Sequence, residues 1–351
     1  MMKSWTILGL VVLAAAAPMD QERALREAIW GDRLIAGTQL YAGLDAPSPQ
    51  ASYLAGWAYW KLHEPEKARP LLKKADQAGF HAGGGRLQPT ELLAKIDEYD
   101  AAKPPAVEVP GLDRSLIDPY ADEKTPLTSP ILDALPRIAA IGGQIFQKPP
   151  PVRFFLFARK PGLMRFHNAF RTNKAPETGD PHSTGIVNMV VYCEEKAHRP
   201  TQSETVSLAL HEAVHAWMAS YLRRRYDRTI TLPSYIDEGL AVYVSNLWSE
   251  DVHALAADRL SAWRKKNPAP PAFESLASHD LFYVSQGPPV NYWLADLLAE
   301  RLLGPPETGA AKIPALLDAY ARTGDDAKAW REVTGKDVRA EYQALVSEAW
   351  R

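Results

Sequence analysis

Residues 211–215 read His-Glu-Ala-Val-His, two imidazoles four positions apart with a carboxylate directly after the first. On a helix, side chains four apart share one face, a turn above one another. His211 and His215 can therefore point ring nitrogens at a single ion about 2.0–2.1 Å away, the distance at which imidazole binds zinc. Glu212 falls beside such an ion rather than on it. There it can take a proton from an activated water and later hand it to a leaving group. Further along, Asp237-Glu238-Gly239-Leu240-Ala241 supplies another carboxylate followed by glycine in an apolar run. Together the two segments describe a three-ligand zinc site whose open position takes water, the mark of a catalytic rather than a structural metal. The chemistry is metal-assisted hydrolysis, with Zn2+ as the cofactor.

Such residues need a helix to hold them, and the flanking sequence predicts one. Thr201-Gln202-Ser203-Glu204 fits a capping box with Thr201 as N-cap. Val206, Leu208, Leu210, Val214, Trp217 and Tyr221 then give an apolar segment, and Arg223, Arg224 and Arg225 suit the negative end of its dipole. The expectation is a half-buried helix. Strands are expected at Val152–Phe157 and at Gly185–Tyr192, the latter just before the metal-binding helix.

His-Glu-x-x-His followed by Tyr235-Ile236-Asp237-Glu238-Gly239-Leu240-Ala241 resembles the gluzincin peptidases, and more closely the small peptidase-MA-like domains of bacteria. The resemblance implies zinc ligands at His211, His215 and Glu238, with Glu212 as general base. It extends more weakly over residues 130–351, through a helix from Tyr292 to Leu303 and a closing Trp330–Gly335 segment with the helix after it. Its implied fold is α+β: mainly helical, a gluzincin-like domain with a small mixed sheet. Two positions depart from the pattern. Where many gluzincins carry a carboxylate four residues after the third ligand, this chain has Val242, so Asp237 or a backbone carbonyl must orient a zinc histidine. The oxyanion donor, often a Tyr, is either Tyr283, read as lying in a loop that reaches the site, or Tyr292; Tyr283 is favoured. The resemblance also implies an edge strand at the cleft, where Ile186 to Val190 would pair with an extended substrate. The alternative is an interior strand with no free edge.

Upstream, Lys3 and the apolar run Ile7–Ala17 have the layout of a secretory signal peptide over residues 1–17, which implies a periplasmic or secreted bacterial protein. Residues 20–100 read as helical hairpins. Tyr53–Trp60 and Glu66–Ala75 resemble a tetratricopeptide repeat, with Gly56 and Ala68 permitting close helix crossing and a degenerate repeat at 21–45. Such a region suits docking of a protein partner. Six prolines between 101 and 130 read as a linker, leaving 131–351 as the catalytic domain. Gly83-Gly84-Gly85 lacks the Gly-Lys-Ser/Thr of a phosphate loop and reads as a helix-ending turn. Cys193 is the sole cysteine, so no intramolecular disulfide forms, and a buried inert thiol is expected. His167, His182, His198, His253 and His279 show no ligand spacing.

The chain has 351 residues and 46% hydrophobic content, enough for a full core and more than one domain, and its net charge of −2 argues against a nucleic-acid partner. No stretch beyond the signal peptide is apolar enough to span a membrane. The reading is a zinc metallopeptidase acting on peptide or protein, or on an amide in another substrate. The alternative is a catalytically silent scaffold that binds a partner in the cell envelope. The intact Glu212 favours the enzyme.

Overall fold

The computed structural model describes residues 18–125, 128–170, 183–193, 201–248, 260–284 and 288–351. The expected signal peptide lies outside them, as do His182, His198 and His253. Among the described residues no helix is long and apolar enough to cross a membrane. The architecture is α+β, mainly helical with a small mixed sheet. The chain divides into two compact units. One takes the chain up to Ala102, the stretch from Arg165 and Asp227–Thr229, and the other takes the rest.

The first unit stacks five helices in sequence order: α1 (Pro18–Trp30), α2 (Leu34–Ala42), α3 (Pro49–Lys61), α4 (Pro65–Gln77) and α5 (Pro89–Ala102). Pro49 and Pro65 start α3 and α4, where a missing N–H costs nothing. Ser48 caps α3 by accepting from Ala51 N–H at 3.1 Å, and the Glu22 carboxylate of α1 holds Ser48 through its N–H and hydroxyl. A Cβ on Gly56 would lie 2.8 Å from Leu72 Cγ and 3.3 Å from the Ala68 carbonyl, so the small residues do set the close α3–α4 crossing. α4 ends at Gly79, whose φ of +70° suits glycine, before the Gly83–Gly85 run is reached. The first turn of α2 is capped from far along the chain. Its own N-cap, Arg33, offers no acceptor, and both Asp227 oxygens accept instead, from the Ile35 and Ala36 N–H groups at 2.7 Å. Thr229 N–H in turn donates to Asp32 at 2.5 Å.

The second unit is built on a sheet of order β1-β2-β4-β3: β1 (Ile117–Ala121), β2 (Val152–Phe157), β3 (Ser183–Ile186) and β4 (Met189–Cys193). β1, β2 and β4 run parallel, and β3 is an antiparallel edge. Every residue of β4 is buried and nearly every one of β2, the pattern of strands covered on both faces. Two expectations change here. The proline-rich segment 101–130 is not only a linker: it contributes β1, whose outer side meets residues 105–107 in a single antiparallel bridge, with the Pro119 carbonyl accepting from Val107 N–H at 3.0 Å. The Gly185–Tyr192 run is not one strand but a hairpin, turned at Asn188 with φ +62°. The Asn188 N–H is fastened to Ser220 Oγ at 2.7 Å. Cys193, at the end of β4, is buried as expected.

The helices that follow β1 begin with α6 (Thr128–Phe146), α7 (Lys160–Phe170, whose last residues from Arg165 belong to the first unit), α8 (Gln202–Tyr226), α9 (Ser234–Ser245), α10 (Phe273–Ala277), α11 (His279–Val284) and α12 (Pro288–Leu303). Four more follow: α13 (Pro306–Gly309), α14 (Ile313–Thr323), α15 (Asp326–Thr334) and α16 (Val338–Ala349). α8 lies against β3 and β4, with α6 beside it. Gly142 of α6 admits the Trp217 indole of α8 to within 2.7 Å of where a Cβ would stand. Burying such a ring contributes a few kcal/mol, roughly 2–3 by area.

Candidate metal centre

α8 carries His211, Glu212 and His215. Thr201 caps it as expected, accepting from Glu204 N–H at 3.1 Å, while its hydroxyl donates to the Glu204 carboxylate at 3.3 Å. The helix is not half buried, though. From Glu204 to Met218 nearly every side chain is inside, because sheet, α6 and α9 enclose it. A buried helix holding two imidazoles and a carboxylate needs a reason, since unmatched buried polar groups are costly.

Glu238 supplies that reason from α9. Its neighbour Gly239 lets α9 press against α12: a Cβ there would sit 2.9 Å from the Ala295 carbonyl and 3.0 Å from Ala295 Cβ. The start of α9 is fixed from the C-terminal helices. Trp330 Nε1 donates to the Tyr235 hydroxyl at 2.9 Å, which itself donates to Asp326 at 2.9 Å. The closing segment singled out in the sequence thus serves as the anchor of the helix that carries the carboxylate.

His211 Nε2 and His215 Nε2 stand 3.0 Å apart, and Glu238 Oε2 lies 3.2 Å from the first and 3.3 Å from the second. Donors each bound at 2.0–2.1 Å to a tetrahedral ion are separated by about 3.3 Å. The triangle therefore has the size of three corners of a zinc tetrahedron. Among the described residues these three form the group that could hold a metal. Two nitrogens and one oxygen suit zinc better than magnesium or calcium, which prefer oxygen alone.

The ring of His215 is held by Asp237. Its Nδ1 is 2.9 Å from Asp237 Oδ1, and a carboxylate can only accept, so the proton is on Nδ1 and Nε2 presents its lone pair to the triangle. Of the two orienting groups left open by Val242, the structure places Asp237 there. Burial alone would lower the His215 pKa, but the Asp237 and Glu238 charges outweigh it and raise it well above the usual value. Burial would likewise raise Glu238, yet hydrogen bonds from His211 and His215 hold it far below the carboxylate range.

Glu212, the residue after His211 on α8, is buried and close enough to Tyr292 to influence its ionisation. Tyr283 is not in a loop but on α11, and its hydroxyl donates a hydrogen bond to Glu238 Oε1. Tyr292, on the first turns of α12, does more than pack its helix start: its ring is 6.4 Å from that of His211 and 6.5 Å from that of Tyr283. Burial, then the Glu238 charge, pushes both phenols well above their usual range. His279, given no role from spacing, packs edge-on against Tyr283 with centroids 4.9 Å apart. The expected substrate-pairing stretch Ile186–Val190 straddles the hairpin turn. Ile186 belongs to the edge strand, whereas Val190 is paired on both sides.

No protein-family model matches the chain, and no curated protein or solved structure matches it. Its chemistry must be argued from the site.

Proposed function

We propose that this chain is a zinc-dependent peptide hydrolase of the gluzincin type, exported as its first residues suggest. The observation that carries the reading is the triangle of His211, His215 and Glu238, sized for one ion, with Glu212 buried next to His211 on the same helix. Zinc bound there would act as a Lewis acid, polarising a substrate carbonyl and lowering the pKa of water. Glu212 takes the proton from the attacking water and holds it on a carboxylate oxygen. It then delivers that proton to the amine nitrogen as the C–N bond breaks, so the carboxylate is regenerated. Asp237 keeps His215 in the tautomer that faces the ion. β3, the antiparallel edge strand lying along α8, is the element suited to pair with an extended peptide.

The test is zinc content and peptide-library cleavage for the mature chain and for Glu212→Gln. The expected outcome is stoichiometric zinc in both, with turnover lowered about 10²- to 10⁴-fold in the variant. Zinc without any Glu212-dependent cleavage would favour a scaffold that binds a partner through its N-terminal helices. Failure of the purified and reconstituted chain to take up zinc would end the metal reading altogether.

A further inference from the structure

We propose that Tyr283 is a positioning residue for Glu238, which it holds as a one-oxygen ligand, rather than a donor to the substrate oxyanion. The inference rests on the zinc reading above. The two Glu238 oxygens have different surroundings. Oε2 faces both imidazoles at 3.2 and 3.3 Å, while Oε1 accepts from the Tyr283 hydroxyl. A carboxylate left to itself can close on a metal through both oxygens and fill the position that water needs. A hydroxyl donating to Oε1 occupies one lone pair of that oxygen and fixes the carboxylate torsion, which leaves Oε2 turned toward the ion.

The placement of Tyr283 fits this role. α11 is anchored by Phe282, fully buried in the core, whose carbonyl accepts from Asn291 Nδ2 at 2.9 Å. The Tyr283 ring is wedged between His279, Phe282 and Tyr292. It is also 37% exposed, so loss of the hydroxyl alone leaves the fold's packing intact. A donor committed to a protein carboxylate is not directed at a substrate oxygen, and it acts before any substrate arrives.

The experiment is zinc affinity by chelator competition, together with the visible spectrum of the cobalt-substituted protein, for the unaltered chain and for Tyr283→Phe. Removing an outer partner of a metal ligand typically weakens metal binding about 10- to 100-fold. The expected result is a loss of that size, with weaker cobalt absorption as the coordination number rises when Oε1 joins the metal. Unchanged zinc affinity and an unchanged cobalt spectrum, with lower kcat at saturating zinc, would overturn the proposal and return Tyr283 to the oxyanion. Were the unaltered chain not to bind zinc at all, the hydrolase reading itself would fall. Failure specific to Tyr283→Phe leaves that reading standing.

Discussion

At the residue scale, the two histidines are asymmetric, because only His215 has the Asp237 carboxylate on its far nitrogen in the hydrogen bonds described above. Asp237 sits one position before Glu238, about 100° round the α9 helix, and this turn carries it to the back of the imidazole. Asp237→Ala should therefore weaken zinc binding by about 10- to 100-fold. The Asp237 side chain is 42% exposed, so the unfolding midpoint should stay nearly unchanged. Metal titration and urea unfolding of the same variant check both halves. An equal loss of stability and affinity would mean that Asp237 holds the helix rather than the ring. The closeness of His211 and His215 was legible in the sequence because helical spacing alone puts them together. The contact of Tyr283 with Glu238 was not, since it joins residues 45 positions apart and depends on where α11 points.

At the scale of elements, α9 is the piece that must be held still, and its foothold is the buried Tyr235 hydroxyl between Trp330 and Asp326. Tyr235→Phe leaves the Trp330 N–H without that acceptor, so a loss of about 1–3 kcal/mol is expected in chemical unfolding. The same hydroxyl makes the fold sensitive to alkali. Burial, followed by the Asp326 charge, raises the Tyr235 pKa well above its usual value. Its contribution is fully present below the unfolded tyrosine pKa of about 10 and is lost as pH rises through the higher folded value. Tyr235→Phe should accordingly show a smaller fall in stability above pH ~10 than the unaltered chain. An identical alkaline slope in both would assign the sensitivity to other tyrosines. The sequence pointed to Trp330–Gly335 by resemblance, but not to its partner, because nothing local in residues 326–335 encodes a bond to residue 235. The hairpin at Asn188 was hidden for a different reason: Gly185–Tyr192 is apolar throughout, and only the left-handed Asn188 marks the turn.

At the scale of the molecule, local pattern gave the helical first unit, whereas the mainly helical second one with its small sheet was implied by the resemblance. Local pattern misjudged residues 101–130, where prolines read as a linker hide an edge strand. The division into units also fails to follow the order of the sequence, for Asp227–Thr229 folds with the N-terminal helices. Asp227→Ala removes both acceptors from the α2 N-terminus and should lower stability by about 1–2 kcal/mol, measured by thermal or urea unfolding of the full chain. No change would mean that water replaces the carboxylate without penalty. This arrangement bears on how the protein can be divided. The chain leaves the first unit and returns to it twice, so a single cut after Ala102 does not yield two self-sufficient parts. A fragment beginning at Lys103 would keep Asp227 and Thr229 but lose Ile35, Ala36 and Asp32, the groups they bind. Asp227 and Thr229 thus belong with the N-terminal helices despite their distance in sequence.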